Sequence, residues 1–139
     1  MATAIRDVMT TNPIVYPATA TVAEAAEGMR EFDIGDVLVE RDGKISGIVT
    51  DRDIVVRAVA DGKPAASVTL GEICTDILFT LAPSDTVEQA IHLMRDNSLR
   101  RVPVCEGDTA VGIVTLGDLA IERDGRSVLA AISASPPND

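Results

Sequence analysis

Sliding the chain past itself by 65 residues lays positions 5–57 over 70–122 without a gap. Identities under that shift include Thr10/Thr75, Thr21/Thr86, Val22/Val87, Ala25/Ala90, Met29/Met94 and Arg30/Arg95. They continue through Val37/Val102, Val39/Val104, Gly47/Gly112, Ile48/Ile113, Val49/Val114, Thr50/Thr115 and Asp53/Asp118. An ungapped match of this length is internal duplication, and it restricts the fold to two copies of one local plan.

The plan is legible in each copy. A short apolar stretch (Ile14–Tyr16; Phe79–Leu81) runs into Thr21 with Glu24, or Thr86 with Gln89, the spacing of a helix capping box. Behind these, Val22, Ala25, Ala26 and Met29 fall on one helical face, as do Val87, Ala90, Ile91 and Met94. A β-rich run follows, Val37–Val39 or Val102–Val104, then a tight turn at Asp42-Gly43 or Gly107-Asp108 and a second β run. A second helix is expected near Arg52–Ala60 and Gly117–Glu122. Thr69 with Glu72 caps a short lead-in helix before the second copy, and Thr3 stands where it can cap a counterpart before the first.

A unit of some fifty residues buries its helix-facing surface poorly alone, whereas a chain of about 140 residues buries roughly 70% of its extended surface. The expected fold is therefore α/β (α+β): two β-α-β-β-α repeats packed about a pseudo-twofold axis. The sequence divides into repeat 1 at 1–60, a linker at 61–68 carrying Gly62, Pro64 and Ser67, and repeat 2 at 69–126. A C-terminal tail at 127–139 follows, whose apolar stretch 127–132 is expected to pack and whose end is expected to fray.

With one Tyr, two Phe and no Trp, the core must be aliphatic and aromatic base-stacking platforms are disfavoured. A net charge of −10 argues against nucleic acid and against anionic membranes, but leaves room for a small anionic ligand at a local positive site. No apolar run approaches the roughly 18 residues of a membrane span, and the first residues lack a signal-peptide core, so a cytoplasmic protein is expected. Cys74 and Cys105 suit reduced thiols there, and one histidine with no paired cysteines makes a zinc site improbable.

The most informative phrase is G-h-h-T-x-x-D, at Gly47–Asp53 and again at Gly112–Asp118. Helix capping accounts for its end: Thr50 and Thr115 as N-caps, Asp53 and Asp118 beside the positive helix start. Capping does not account for the glycine, which inside a strand marks close approach by another backbone or by a ligand. A second reading uses the same geometry. Free N–H groups and a threonine hydroxyl suit a phosphate, an aspartate one turn on suits a vicinal diol, and together they suit a ribonucleotide. Ile14, Val37 and Val102 would supply aliphatic walls for a purine.

The duplicated unit, the G-I-V-T-x-x-D phrase and "RRVPV" at Arg100–Val104 resemble a tandem pair of cystathionine-β-synthase (CBS) domains, over about residues 5–122. "GIVTDRDI" and "MREFDIGDVLV" further resemble short bacterial proteins made of one such pair. The resemblance implies a regulatory module, not an enzyme, that binds AMP, ADP, ATP, NAD or S-adenosylmethionine and commonly dimerises. It implies ligand contacts from Thr50, Asp53, Thr115, Asp118 and Arg101, with Pro103 in the same "RVPV" run. No cofactor is required; an adenine nucleotide is the expected regulatory ligand, with a protein partner and a homodimer as expected associates. The alternative is an interaction protein of the same fold whose sites are vestigial, the T-x-x-D motifs serving only as caps.

The copies differ where this matters. Where the second reads "LRRVPV", the first reads "IGDVLV", so Asp36 replaces Arg101 and Leu38 replaces Pro103. An acid beside a phosphate site is repulsive, and the two sites are expected to bind unequally, with Arg52 as a compensating cation in the first. His92 is expected on an exposed helix face, and both thiols are expected to be inert.

Overall fold

The computed structural model of the chain describes residues 3–123. Positions 124–139, with the expected tail, lie outside the described residues. In chain order the elements begin with a 3-10 turn (Ile5–Asp7), β1 (Thr10–Thr11), β2 (Val15–Pro17), α1 (Val22–Phe32), β3 (Asp36–Arg41), β4 (Lys44–Thr50) and α2 (Asp51–Ile54). A π-helical turn (Val55–Val59), α3 (Leu70–Ile73), β5 (Thr75–Asp76), α4 (Val87–Asp96), β6 (Arg101–Glu106), β7 (Thr109–Thr115) and α5 (Leu116–Arg123) complete it. The fold is mixed α and β, with two units of the expected plan.

The two compact units are not the two stretches of sequence that repeat. One unit is Pro13–Leu78; the other joins the N-terminal segment, up to Asn12, to the chain from Phe79 onward. The first-repeat unit holds a four-stranded sheet ordered β2-β3-β4-β5, and the second-repeat unit a three-stranded sheet ordered β1-β7-β6. Each repeat's lead-in segment therefore closes the sheet of the other repeat. Thr10 and Thr11 pair antiparallel with Ile113 and Gly112, while Thr75 and Asp76 pair with Ile48 and Gly47. The segment expected as a linker belongs to the first-repeat unit: Val68 is buried, and Val22 and Ala23 donate backbone hydrogen bonds to Val68 and Ala65.

Both cores are aliphatic. In the first-repeat unit Val22, Ala25 and Met29 of α1 meet Val37, Val39 and Val49 of the sheet, with Leu70 and Ile73 from the lead-in. In the second-repeat unit Val87, Ala90 and Met94 meet Val102, Val104 and Val114, with Ile5 from the N-terminal lead-in. Ile5 and Leu70 occupy equivalent repeat positions and each is fully buried in the other repeat's core. Burial of such a side chain contributes about 1.5–3 kcal/mol, so the exchange is part of what holds each unit together.

The turns follow their sequences. Asp42 and Gly43 both have positive φ, the pattern of a two-residue type I′ hairpin, whereas in Gly107-Asp108 only the glycine does, as in type II′. One expected strand is missing. Leu38 donates to the Ile14 carbonyl at 2.9 Å and fixes β2 beside β3. Its counterpart Pro103 has no N–H, so the stretch Phe79–Leu81 keeps only an isolated bridge between Leu81 and Val104. Of the expected helix caps, Thr86 with Gln89 forms the full reciprocal box, while Thr21 accepts from the Glu24 N–H without the return bond.

A second difference lies in α1. A side chain at Gly28 would collide with the Tyr16 hydroxyl, which reaches the Glu24 carbonyl at 3.4 Å. The second repeat places Leu81 and Leu93 at these two positions. Glycine within a helix costs about 1 kcal/mol relative to alanine, and here it makes room for the Tyr16 ring. Gly28→Ala is therefore expected to destabilise the protein by about 1–3 kcal/mol, as overpacking does. In a Tyr16→Ala background the same change should be neutral, or stabilising by up to about 1 kcal/mol. Urea unfolding of the four proteins checks this; equal effects in both backgrounds would refute the steric explanation.

Candidate functional site

Each G-h-h-T-x-x-D phrase lies where a strand runs into the following helix. Thr115 Oγ1 accepts from the Asp118 N–H at 3.1 Å, and Asp118 Oδ2 accepts from the Thr115 N–H at 2.9 Å. Thr50 and Asp53 repeat the box at 3.1 and 2.9 Å. Capping is thus complete in both copies, and it employs one oxygen of each aspartate, Oδ2. The four groups are partly buried rather than exposed.

The strand glycines have a structural cause. A Cβ at Gly112 would lie 2.9 Å from the Thr10 carbonyl oxygen and would strike the side chain of Met9. A Cβ at Gly47 would lie 2.8 Å from Cys74 Sγ and 3.3 Å from the Thr75 carbonyl oxygen. Met9 and Cys74 occupy the same repeat position, so each glycine admits the other repeat's lead-in strand. Of the two readings that the sequence permits for the glycine, the approaching backbone is the one observed. The register also slips beside each glycine, between Val39 and Glu40 and between Val104 and Cys105.

Strand pairing brings some expected residues together and separates others. Arg101 lies directly across from Thr115, and Asp36 directly across from Thr50. Opposed residues of an antiparallel pair share a sheet face, so Arg101 stands on the same face as the Thr115 hydroxyl, and Asp36 on the face of Thr50. Arg101, Thr115 and Asp118 thus form one group in the second-repeat unit. Val37 and Val102, expected as ligand walls, are fully buried in the two cores, where the helix side of each sheet claims them and no surface is left for a ligand. Pro103 is buried opposite Ile113, and Ile14 is half-buried at the margin of the first core.

Two residues that sequence reasoning did not single out make the copies more unequal. Arg57 Nε lies 3.8 Å from Asp53 Oδ1, and its Nη1 donates to the carbonyls of Ile73 at 3.1 Å and Cys74 at 3.5 Å. The equivalent residue in the second repeat is Glu122, which accepts from the Thr3 hydroxyl at 2.9 Å. The remaining oxygen of Asp53 therefore faces a guanidinium, whereas the arginine that would face Asp118 is replaced by an acid. The i, i+4 spacing of Asp53 and Arg57 signals their ion pair. Nothing local signals the carbonyls of α3.

Of the other singled-out groups, His92 is exposed and lies 2.6 Å from the Arg95 guanidinium through Nδ1. Burial, with a smaller contribution from the Asp108 carboxylate, pushes the Cys105 thiol above its ordinary value. Among the described residues no cluster of His, Cys, Asp or Glu is arranged to hold a metal ion, and no helix is long and apolar enough to cross a membrane.

With this geometry in view, comparison with known proteins is decisive on the family. The CBS domain profile matches twice, at residues 5–59 and 70–124. The chain belongs to the CBS domain family. It is 34% identical over 119 residues to the CBS domain-containing protein YhcV of Bacillus subtilis, covering 86% of this chain and 84% of that one. The structure of Hypoxic Response Protein I with two coordinated zinc ions matches with a TM-score of 0.74 and 33% identity, over 85% of this chain and 97% of that one. The CBS domain pair of protein MJ0100, in complex with 5′-methylthioadenosine and S-adenosyl-L-methionine, matches with a TM-score of 0.77 and 27% identity, over 91% of this chain and all of that one.

Two predictions follow from the local geometry. Asp118→Ala should lower stability by about 0.5–2 kcal/mol through loss of the box, and Asp118→Asn by less, as one acceptor remains; denaturant unfolding at pH 7 measures both. Cys105, held protonated by burial, should alkylate slowly at pH 7.5 and faster as pH rises above the ordinary thiol range. Peptide mapping after iodoacetamide treatment reads this, and rapid labelling at pH 7.5 would contradict it.

Proposed function

We propose that this chain is a regulatory module that binds an adenosine-containing ligand and passes the bound state to a protein partner through its self-association. The observation that carries the reading is the grouping of Arg101 with the Thr115–Asp118 box in one unit. Arg101 offers a fixed positive fork to phosphate, Thr115 a hydroxyl, and Asp118 its Oδ1 to a ribose diol. Thr50 and Asp53 form the weaker counterpart, opposed by Asp36 and with Asp53 facing Arg57. Ile14 and Pro103 provide apolar neighbours. The complex of the MJ0100 pair with two adenosyl compounds supports the ligand class.

Self-association is supported by apolar side chains left in water. Val59 is 64% exposed, Leu116 56% and Phe32 52%, with Val55, Val56 and Ile121 also open. The protein is read as a homodimer whose packing responds to ligand. The capping boxes give Thr50, Asp53, Thr115 and Asp118 a structural role of their own, which favours a second reading, in which the sites are vestigial and the fold serves only protein contacts.

Melting nucleotide-free protein with AMP, ATP, adenosine and S-adenosylmethionine separates the two readings. A binder at about 100 times its dissociation constant adds about 2.7 kcal/mol to stability, whereas a vestigial site adds nothing. Arg101→Ala should weaken AMP by about ten- to a hundredfold, the loss of a hydrogen bond to a charged group, and leave adenosine nearly unchanged. Equal losses for both would show that Arg101 supports the fold rather than a phosphate.

A further inference from the structure

In the first repeat the chain beyond the second helix has an observed course. After the π-helical turn it bends at Gly62, whose φ is +70°, and Lys63 N–H donates to the Ala58 carbonyl at 3.0 Å. It then packs back on its own unit. Ala23 and Val22 of α1 donate to the carbonyls of Ala65 and Val68, each at 2.9 Å, and Val68 is buried. The second repeat has that place filled from elsewhere. Val87 of α4 donates to the Thr3 carbonyl at 3.0 Å, and the Thr3 hydroxyl donates to Glu122 at 2.9 Å. The N-terminal segment thus stands where Val68 stands in the first repeat, and Ser133, the counterpart of Val68, is shut out of it.

An unfilled apolar place lies along the same helix. Beside α4 and α5 runs an open groove of about 470 Å³, with Ile91, Met94 and Leu99 on one side and Leu116 and Leu119 on the other. Leu116 is largely exposed, and the first repeat carries Asp51 at its position. An acid suits the start of a helix better, so helix capping does not explain the leucine. The sequence beyond α5 fits this groove. Gly125 stands two residues past the helix, where glycine commonly ends one. Val128, Leu129 and Ile132 have the i, i+1, i+4 spacing of one helical face, and Pro136-Pro137 closes the run. In helical form residues 127–132 span about 9 Å, close to the roughly 10 Å of helix from Leu116 to Arg123.

We propose that the chain turns back at Gly125 and docks residues 127–132 in this groove of the same molecule, with Val128, Leu129 and Ile132 facing Ile91, Leu116 and Leu119. The connection is short, positions 124–126, and a short connection gives the segment an effective concentration at the groove of roughly millimolar. A second copy at micromolar concentration has to bind about a thousandfold more tightly to displace it. Alone, so short a segment does not hold a helix, so it orders only where it buries its apolar face. Docking takes Leu116 out of water and leaves Phe32, Val55, Val56 and Val59 as the apolar surface for self-association. It also lays the segment against α5, the helix that starts at the Thr115–Asp118 box.

The chain contains no tryptophan, so a single introduced one reports its own surroundings. In the full-length protein Ile132→Trp should emit at shorter wavelength than free tryptophan and be quenched by acrylamide several-fold less. Ala130→Trp, on the opposite helical face, should be quenched nearly as readily as free tryptophan. Leu116→Asp gives the groove the residue that the first repeat carries there, and it should return Ile132→Trp to free quenching. Leu129→Asp removes the other side of the same contact without touching the described fold and should release the tryptophan equally; circular dichroism melting shows whether each variant stays folded. Protection should not change on dilution. Ready quenching of Ile132→Trp would overturn docking altogether. Protection that survives both aspartates would overturn the groove as its place, and protection lost on dilution would show the groove filled by another copy's segment.

Discussion

Everything in each unit depends on a borrowed edge strand. The first repeat's sheet ends in β5 and the second's in β1, and each of these comes from the lead-in of the other repeat. The approach is so close that the receiving strand must be bare at one point, Gly47 or Gly112, where the Cys74 or Met9 side chain crosses. The lead-in also delivers one fully buried aliphatic residue, Leu70 or Ile5, to the core beneath. A repeat cut out at its sequence boundaries would lose both a strand and a core residue. That constraint explains the glycine of the repeated phrase without any ligand.

The rest of the phrase is less economical in its explanation. A threonine and an aspartate closed into a capping box are already stabilising, by about 1 kcal/mol for the cap alone. The box nevertheless leaves Oδ1 of each aspartate outside the cap, and what that oxygen faces differs between copies. Asp53 faces Arg57 at 3.8 Å, with Asp36 across the strands from its threonine. Asp118 has Arg101 across from its threonine and no arginine one turn on. Structural need accounts for the shared part of the motif, and the difference between the copies lies in its surroundings.

What the sequence revealed followed from local physics. Capping spacings located α1 and α4, β-rich runs located β3, β4, β6 and β7, and the turn dipeptides located both hairpins, because each signal lies within a few residues of its effect. What it concealed was nonlocal. No periodicity says that Thr10 pairs with Ile113, although the Thr10/Thr75 identity is its trace. A β-rich run does not say which of its residues face a helix, so the sequence leaves Val37 and Val102 open as ligand walls, whereas the helix side claims both. Pro103 carried a legible warning, since a residue without an N–H cannot anchor a neighbouring strand, and Phe79–Leu81 accordingly makes only one bridge.

The two repeats keep the central residues of one plan and differ around it. Core pairs such as Val22/Val87, Val37/Val102 and Val49/Val114 are unchanged, as are the capping threonines Thr21/Thr86 and Thr50/Thr115 and the strand glycines. The pairs that changed sign or polarity, Asp36/Arg101, Gly35/Arg100, Asp51/Leu116 and Arg57/Glu122, lie around the motif and on the face beside it. A site and a surface altered together, on two elements joined at Thr115, are suited to being coupled: whatever engages the start of α5 acts at the N-terminal end of a helix whose residues Leu116 and Leu119 line the groove. The equivalent point in the first repeat leads instead into a four-residue helix and a π-helical turn that carries the exposed valines and Arg57. One plan is therefore kept in two unequal halves, and the inequality is concentrated around the repeated motif and the helix that follows it.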